Sequence, residues 1–64
     1  MADLTHLWRV GQLAYYRVGN KLHKGTVKEV YADHLIVDCP DISDHIWFQQ
    51  GYNLDCLYPD YNIK

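Results

Sequence analysis

Turn-forming residues recur at short, regular intervals along this chain, and that spacing points to a succession of short strands. Gly11, Gly19-Asn20, Gly25, Ala32-Asp33-His34, Pro40-Asp41, Gly51 and Pro59 punctuate it, and the runs between them are rich in Val, Ile, Thr, Phe, Trp and Tyr. Those residue types suit a pleated, half-buried surface. Short runs of them between frequent turn signals predict a small all-β barrel or sandwich. The 64 residues make one domain, 1–64, with its core expected over about residues 10–58. A chain this short buries only about 60% of the surface its unfolded form exposes, so its stability is expected to be marginal.

The first strand is read over residues 12–18, ending at the Gly19-Asn20 reversal, where both residues tolerate positive φ. The second covers about 22–31. Val27 and Val30 are three apart, an odd offset that places them on opposite faces of a regular strand. If both are core, the strand carries a bulge near Lys28-Glu29. A short hairpin connection at Ala32-Asp33-His34 leads to a third strand over 35–39, ended by Pro40, which cannot donate to a ladder. A polar loop over 40–44 precedes a fourth strand at 45–49, and residues 56–58 form a short closing strand. At the N-terminus, Leu4, Leu7 and Trp8 fall on one face of a helical turn that Asp3 or Thr5 caps; an irregular arm fits the same residues.

Val10-Gly11-Gln12, then Lys24-Gly25-Thr26-Val27-Lys28-Glu29-Val30, then Leu35-Ile36-Val37 resemble the Src-homology-3-like small barrels, and among them the KOW and Tudor groups. The resemblance covers roughly residues 10–50. It implies a five-stranded small barrel and a binding module for nucleic acid, for a peptide or for a methylated side chain. The acidic-tyrosine-glycine-asparagine segment of extended Tudor domains is absent, and Val37-Asp38-Cys39-Pro40-Asp41 stands in its place. KOW proteins are usually basic, whereas this chain carries a net charge of −2.

Charge is unevenly distributed. Arg9, Arg17, Lys21, Lys24 and Lys28 lie in residues 9–28, with no acidic residue among them. Residues 29–64 hold Glu29, Asp33, Asp38, Asp41, Asp44, Asp55 and Asp60 against Lys64. Such asymmetry marks a basic binding face, or else lobes that neutralise each other across neighbouring strands.

Alternation along a strand sets Tyr15 against Tyr16 and Trp47 against Phe48, so one member of each pair faces outward. Exposed aromatics serve as stacking platforms for bases, cages for quaternary ammonium groups or anchors in protein interfaces; equally, they fill the core and rim of a small barrel. Lys24, Thr26 and Lys28 alternate and would share a face. With Arg17 and Tyr15 on the paired strand they make a basic and aromatic surface able to track a phosphate backbone. The candidate binding residues are therefore Tyr15, Arg17, Lys24, Lys28 and Trp47.

His6, His23, His34, Cys39, His45 and Cys56 form no closely spaced ligand pair of the kind structural zinc sites use, so neither metal nor cofactor is expected. Cys39 with His34 or His45 is the sole candidate for nucleophilic chemistry, and Cys39 also fits a small core position; the chain is read as a non-enzyme. Met1-Ala2-Asp3-Leu4-Thr5-His6 lacks the basic start and apolar run of a signal peptide, and no stretch approaches the roughly 20 apolar residues of a membrane span. The expectation is a cytoplasmic binding module with reduced cysteines, monomeric or weakly dimeric. Its partner is another protein or, alternatively, nucleic acid.

Overall fold

The computed structural model describes residues 3–60. Five antiparallel strands, β1 (Leu13–Val18), β2 (Lys21–Val30), β3 (His34–Cys39), β4 (Ser43–Gln49) and β5 (Leu57–Pro59), form one sheet in the order β4-β3-β2-β1-β5. Single 3-10 turns at Leu4–His6 and Leu54–Cys56 are the remaining regular elements among the described residues. The strands match the sequence reading to within one or two residues. The 40–44 loop is the largest difference, because β4 already begins at Ser43.

β2 organises the sheet. Residues 21–26 pair with β1, whereas 26–30 pair with β3. Thr26 belongs to both ladders, and just before it sits Gly25, where an added Cβ would lie 2.9 Å from the Asp38 carbonyl oxygen and 3.0 Å from Val37 Cγ1. Only a residue without a side chain lets β3 approach that closely. Beyond it, the ladder to β3 shifts register between Val27 and Glu29. The bulge inserts Lys28 and changes the parity, so Val27 opposite Val37 and Val30 opposite Leu35 both face inward. This is the bend that the Val27/Val30 offset predicts.

The sheet rolls strongly. β1 and β4 are three positions apart, about 14 Å in a flat sheet. Yet the Tyr16 and Phe48 rings meet edge-to-face with centroids 4.9 Å apart. Ala14, Val27, Leu35, Val37, Phe48 and Leu57 fill the inner face, and Tyr16, Val30, Ile46 and Leu54 pack against them. The roll stops short of a closed ladder, since β4 and β5 are the two ends of the sheet and do not pair. The closing strand expected at 56–58 is thus an edge strand.

The core also takes in Leu4 and Trp8 from the N-terminal turn. Asp3 caps that turn, accepting from the Thr5 amide at 3.0 Å, and the Leu4 amide donates to the Ala32 carbonyl. Leu7, expected on the same apolar face, is 60% exposed. One tight turn sets Leu4 and Trp8 inward but does not extend into the helix that would carry Leu7 with them.

Gly25→Ala is expected to destabilise the protein by about 1–3 kcal/mol, the usual cost of overpacking a tight contact. Urea unfolding measures it; an unchanged midpoint would show that β2 and β3 tolerate a wider separation.

Candidate functional site

Strand alternation divides the aromatic pairs as expected. Tyr16 and Phe48 face the core, while Tyr15 and Trp47 lie on the outer face. The register then splits the candidate binding residues into two groups. Tyr15 sits directly between Lys24 on β2 and Tyr58 on β5, with Arg17 two residues along β1 opposite Leu22. Asp60 shares this corner. Its carboxylate accepts from the Tyr15 hydroxyl at 3.3 Å, and its negative charge pushes the Tyr15 phenol above its ordinary value.

Lys28 shares the outer face with Lys24 but not its surroundings. The bulge carries it toward β4, where its ammonium donates to the Asp44 carbonyl at 3.0 Å. Its stem has to cross β3 to get there. Lys21 pairs with Val18 at the hairpin end, on the parity of the inner face.

Trp47 belongs to a group that sequence reasoning missed. Its indole stacks on the His34 imidazole with centroids 3.8 Å apart and planes 4° from parallel. Tyr31 stacks on His34 at 4.4 Å and 17°. Two rings that close to one imidazole would collide on the same side, so they occupy its opposite faces. The result is a column of three rings running from the end of β2 across β3 to β4. Trp47 is 53% and Tyr31 44% exposed, so the column presents its outer rings to solvent. A cage needs several ring faces turned toward one point, and this column instead spends its inner faces on each other.

Polar groups pin the column. Asp33 Oδ1 lies 2.7 Å from His34 Nδ1, and this hydrogen bond foremost holds the Asp33 carboxyl below its usual range. The indole N–H of Trp47 donates to Gln49 Oε1 at 3.0 Å, and the side-chain Nε2 of Gln49 donates to the Asp33 backbone carbonyl. The Tyr31 hydroxyl donates to Glu29, whose hydrogen bond and charge raise the phenol's pKa. Beneath the column Ile36 faces away from the core yet is only 2% exposed. Its register neighbours are Glu29 and Trp47.

Side chains also cover the free edge of β4. The Asn53 carboxamide accepts from the Gln49 backbone N–H at 2.6 Å and donates to the Trp47 backbone carbonyl at 2.9 Å. The Ser43 hydroxyl bonds the His45 amide and carbonyl in the same way. The opposite edge, β5, is three residues long and ends on Pro59. Short length, proline and side-chain caps all discourage strand addition, which leaves side chains rather than a backbone edge to meet a partner.

Cys39, the candidate nucleophile, is fully buried. Its thiol donates to the Lys24 carbonyl at 3.7 Å, and burial pushes its pKa up, opposite to what a reactive thiolate requires. His34, at the far end of β3 from Cys39, is held instead in the ring column. Cys39 and Cys56 are both free thiols. Among the described residues no three His, Cys, Asp or Glu side chains come together as a metal site, and no helix is long and apolar enough to cross a membrane. The chain matches no known protein family, no curated protein and no solved structure.

Because the Asp33 carboxyl is lowered from 3.8 in the folded state, it contributes stability above about pH 4 that is lost as pH falls below it. Asp33→Asn removes this contribution, so its unfolding midpoint should drop less than that of the parent chain between about pH 5 and 3; parallel curves would contradict the pairing. Asn53→Ala unmasks the Trp47 and Gln49 backbone groups. It should cost about 1 kcal/mol and introduce concentration-dependent association, read by sedimentation.

Proposed function

We propose that this chain is a small binding module that engages another protein through the outer face of its sheet, with Trp47 as the anchor. The observation that carries the reading is the half-exposed Trp47 held in the Tyr31–His34–Trp47 column. An aromatic ring fixed before binding loses little conformational freedom on contact, and tryptophan leads the residues that dominate interface energetics. The capped edges favour a partner that reads side chains. The rolled five-strand sheet with its bent β2 supports an open relative of the Src-homology-3-like barrels, acting in the cytoplasm as a monomer or weak homodimer. No catalytic role is assigned.

A second reading, nucleic-acid binding, rests on Tyr15, Lys24 and Tyr58 lying side by side across three strands with Arg17 adjacent. Phosphate contacts there would be strongly weakened by salt, and the acidic half of the chain opposes approach of a polyanion.

The two are separated by photo-crosslinking in the source cell, with a benzophenone side chain replacing His45 or Arg17 in turn. The protein-binding reading expects a protein adduct from position 45 that disappears with Trp47→Ala, a change costing at least about 2 kcal/mol at an interface hot spot. Nucleic-acid adducts from position 17, with none from position 45, would replace it by the second reading.

A further inference from the structure

The charge around the ring column says what kind of partner it fits. Residues 29–60 supply all of β3, β4, both connecting turns and β5, and they contain seven carboxylates and neither Lys nor Arg. Two of those carboxylates touch the column itself, Asp33 on His34 and Glu29 on Tyr31. Lys28 is the one cation that the structure shows reaching across to this side among the described residues, and its single charge, directed at the Asp44 carbonyl, leaves the carboxylates in excess there. The exposed indole therefore stands in a field that attracts cations and repels phosphates.

Shape narrows the choice further. Trp47 has one face on His34, which leaves the opposite face as the platform. A flat cation extends such a stack, and guanidinium does so better than ammonium, because it is planar and more weakly hydrated. Tryptophan is also the best cation–π acceptor among the side chains. Resting on the protein-binding reading above, we infer that the free face of Trp47 takes an arginine side chain from a basic segment of the partner protein. The column then grows by one layer, from Tyr31 through His34 and Trp47 to the guanidinium. Glu29 and Asp33 raise the local concentration of such a segment without having to contact it.

The test is an amide- and indole-resolved NMR titration of the full chain with four probes of equal length. These are an alternating Arg-Gly peptide, its Lys-Gly counterpart, a neutral Leu-Gly peptide and a single-stranded oligonucleotide. The expected result is a saturable shift of the Trp47 indole, His34 and Gln49 signals with the Arg peptide, at least about threefold tighter than with the Lys peptide. Trp47→Ala should weaken the Arg peptide about tenfold; Tyr15→Ala should leave it unchanged. Backbone shifts elsewhere in the spectrum report whether each variant stays folded, and Trp47→Tyr, which keeps a ring, should retain part of the affinity. Equal Arg and Lys affinities, or no Trp47 shift with the Arg peptide, would overturn the arginine assignment. A neutral peptide that binds best at Trp47 would overturn it while sparing the protein-binding reading. Oligonucleotide binding at Trp47 would overturn both.

Discussion

The approach of β3 to the backbone of β2 at Gly25 is the constraint on which the rest of this molecule depends. With the Asp38 carbonyl oxygen 2.9 Å from where a Cβ would stand, the long central strand can serve β1 with one half and β3 with the other. The bulge at Lys28 then turns Val30 back into the core behind Val27. Without that bend the sheet would lie flatter, and Tyr16 and Phe48, three strands apart, would not meet. The N-terminal turn completes the arrangement by bringing Leu4 and Trp8 into the same core.

The outer face follows from the same bend. Once the parity of β2 is reset, Glu29, Ile36 and Trp47 fall in one row across β2, β3 and β4. The tight turn from β2 into β3 sets Tyr31 and His34 on neighbouring strand ends, with the Tyr31 amide donating to the His34 carbonyl. Trp47 reaches the free side of His34 from β4. The outcome is a large aromatic side chain that is half exposed and yet fixed on several sides, in the acidic half of a chain whose basic half lies on the other strands. Side-chain caps along β4 and proline on β5 leave the sheet open but not adhesive, so recognition falls to that face.

Much of the fold is legible in the sequence because it depends on local rules. Alternation alone predicts that Tyr15 and Tyr16 part company, as do Trp47 and Phe48, and the odd spacing of Val27 and Val30 predicts the bulge. What alternation lacks is the sign: Phe48 is the inward member because it falls opposite Leu35, a matter of register between strands. Barrel closure is not legible for a related reason, since β4 and β5 read as strands individually and only the ladder shows that they do not pair. The ring column was not legible at all. By residue type His34 fits a ligand or a base, and nothing local marks it as the middle of a stack whose outer members lie three residues before it and thirteen after. Lys24 and Lys28 share a face as their spacing implies, yet the bulge sends Lys28 to Asp44 and divides the basic set. The role of Asn53 likewise depends on a turn that folds back on the edge of β4.

The hold of His34 on the solvent-facing Trp47 ring is read out by the indole N–H order parameter of Trp47 from NMR relaxation. Trp8, buried in the core, provides the internal reference. The structure predicts that both indoles are ordered to the level of rigid backbone, about 0.85. A Trp47 value below about 0.6, with Trp8 still ordered, would mean that the ring is not held against His34 and is no preformed anchor.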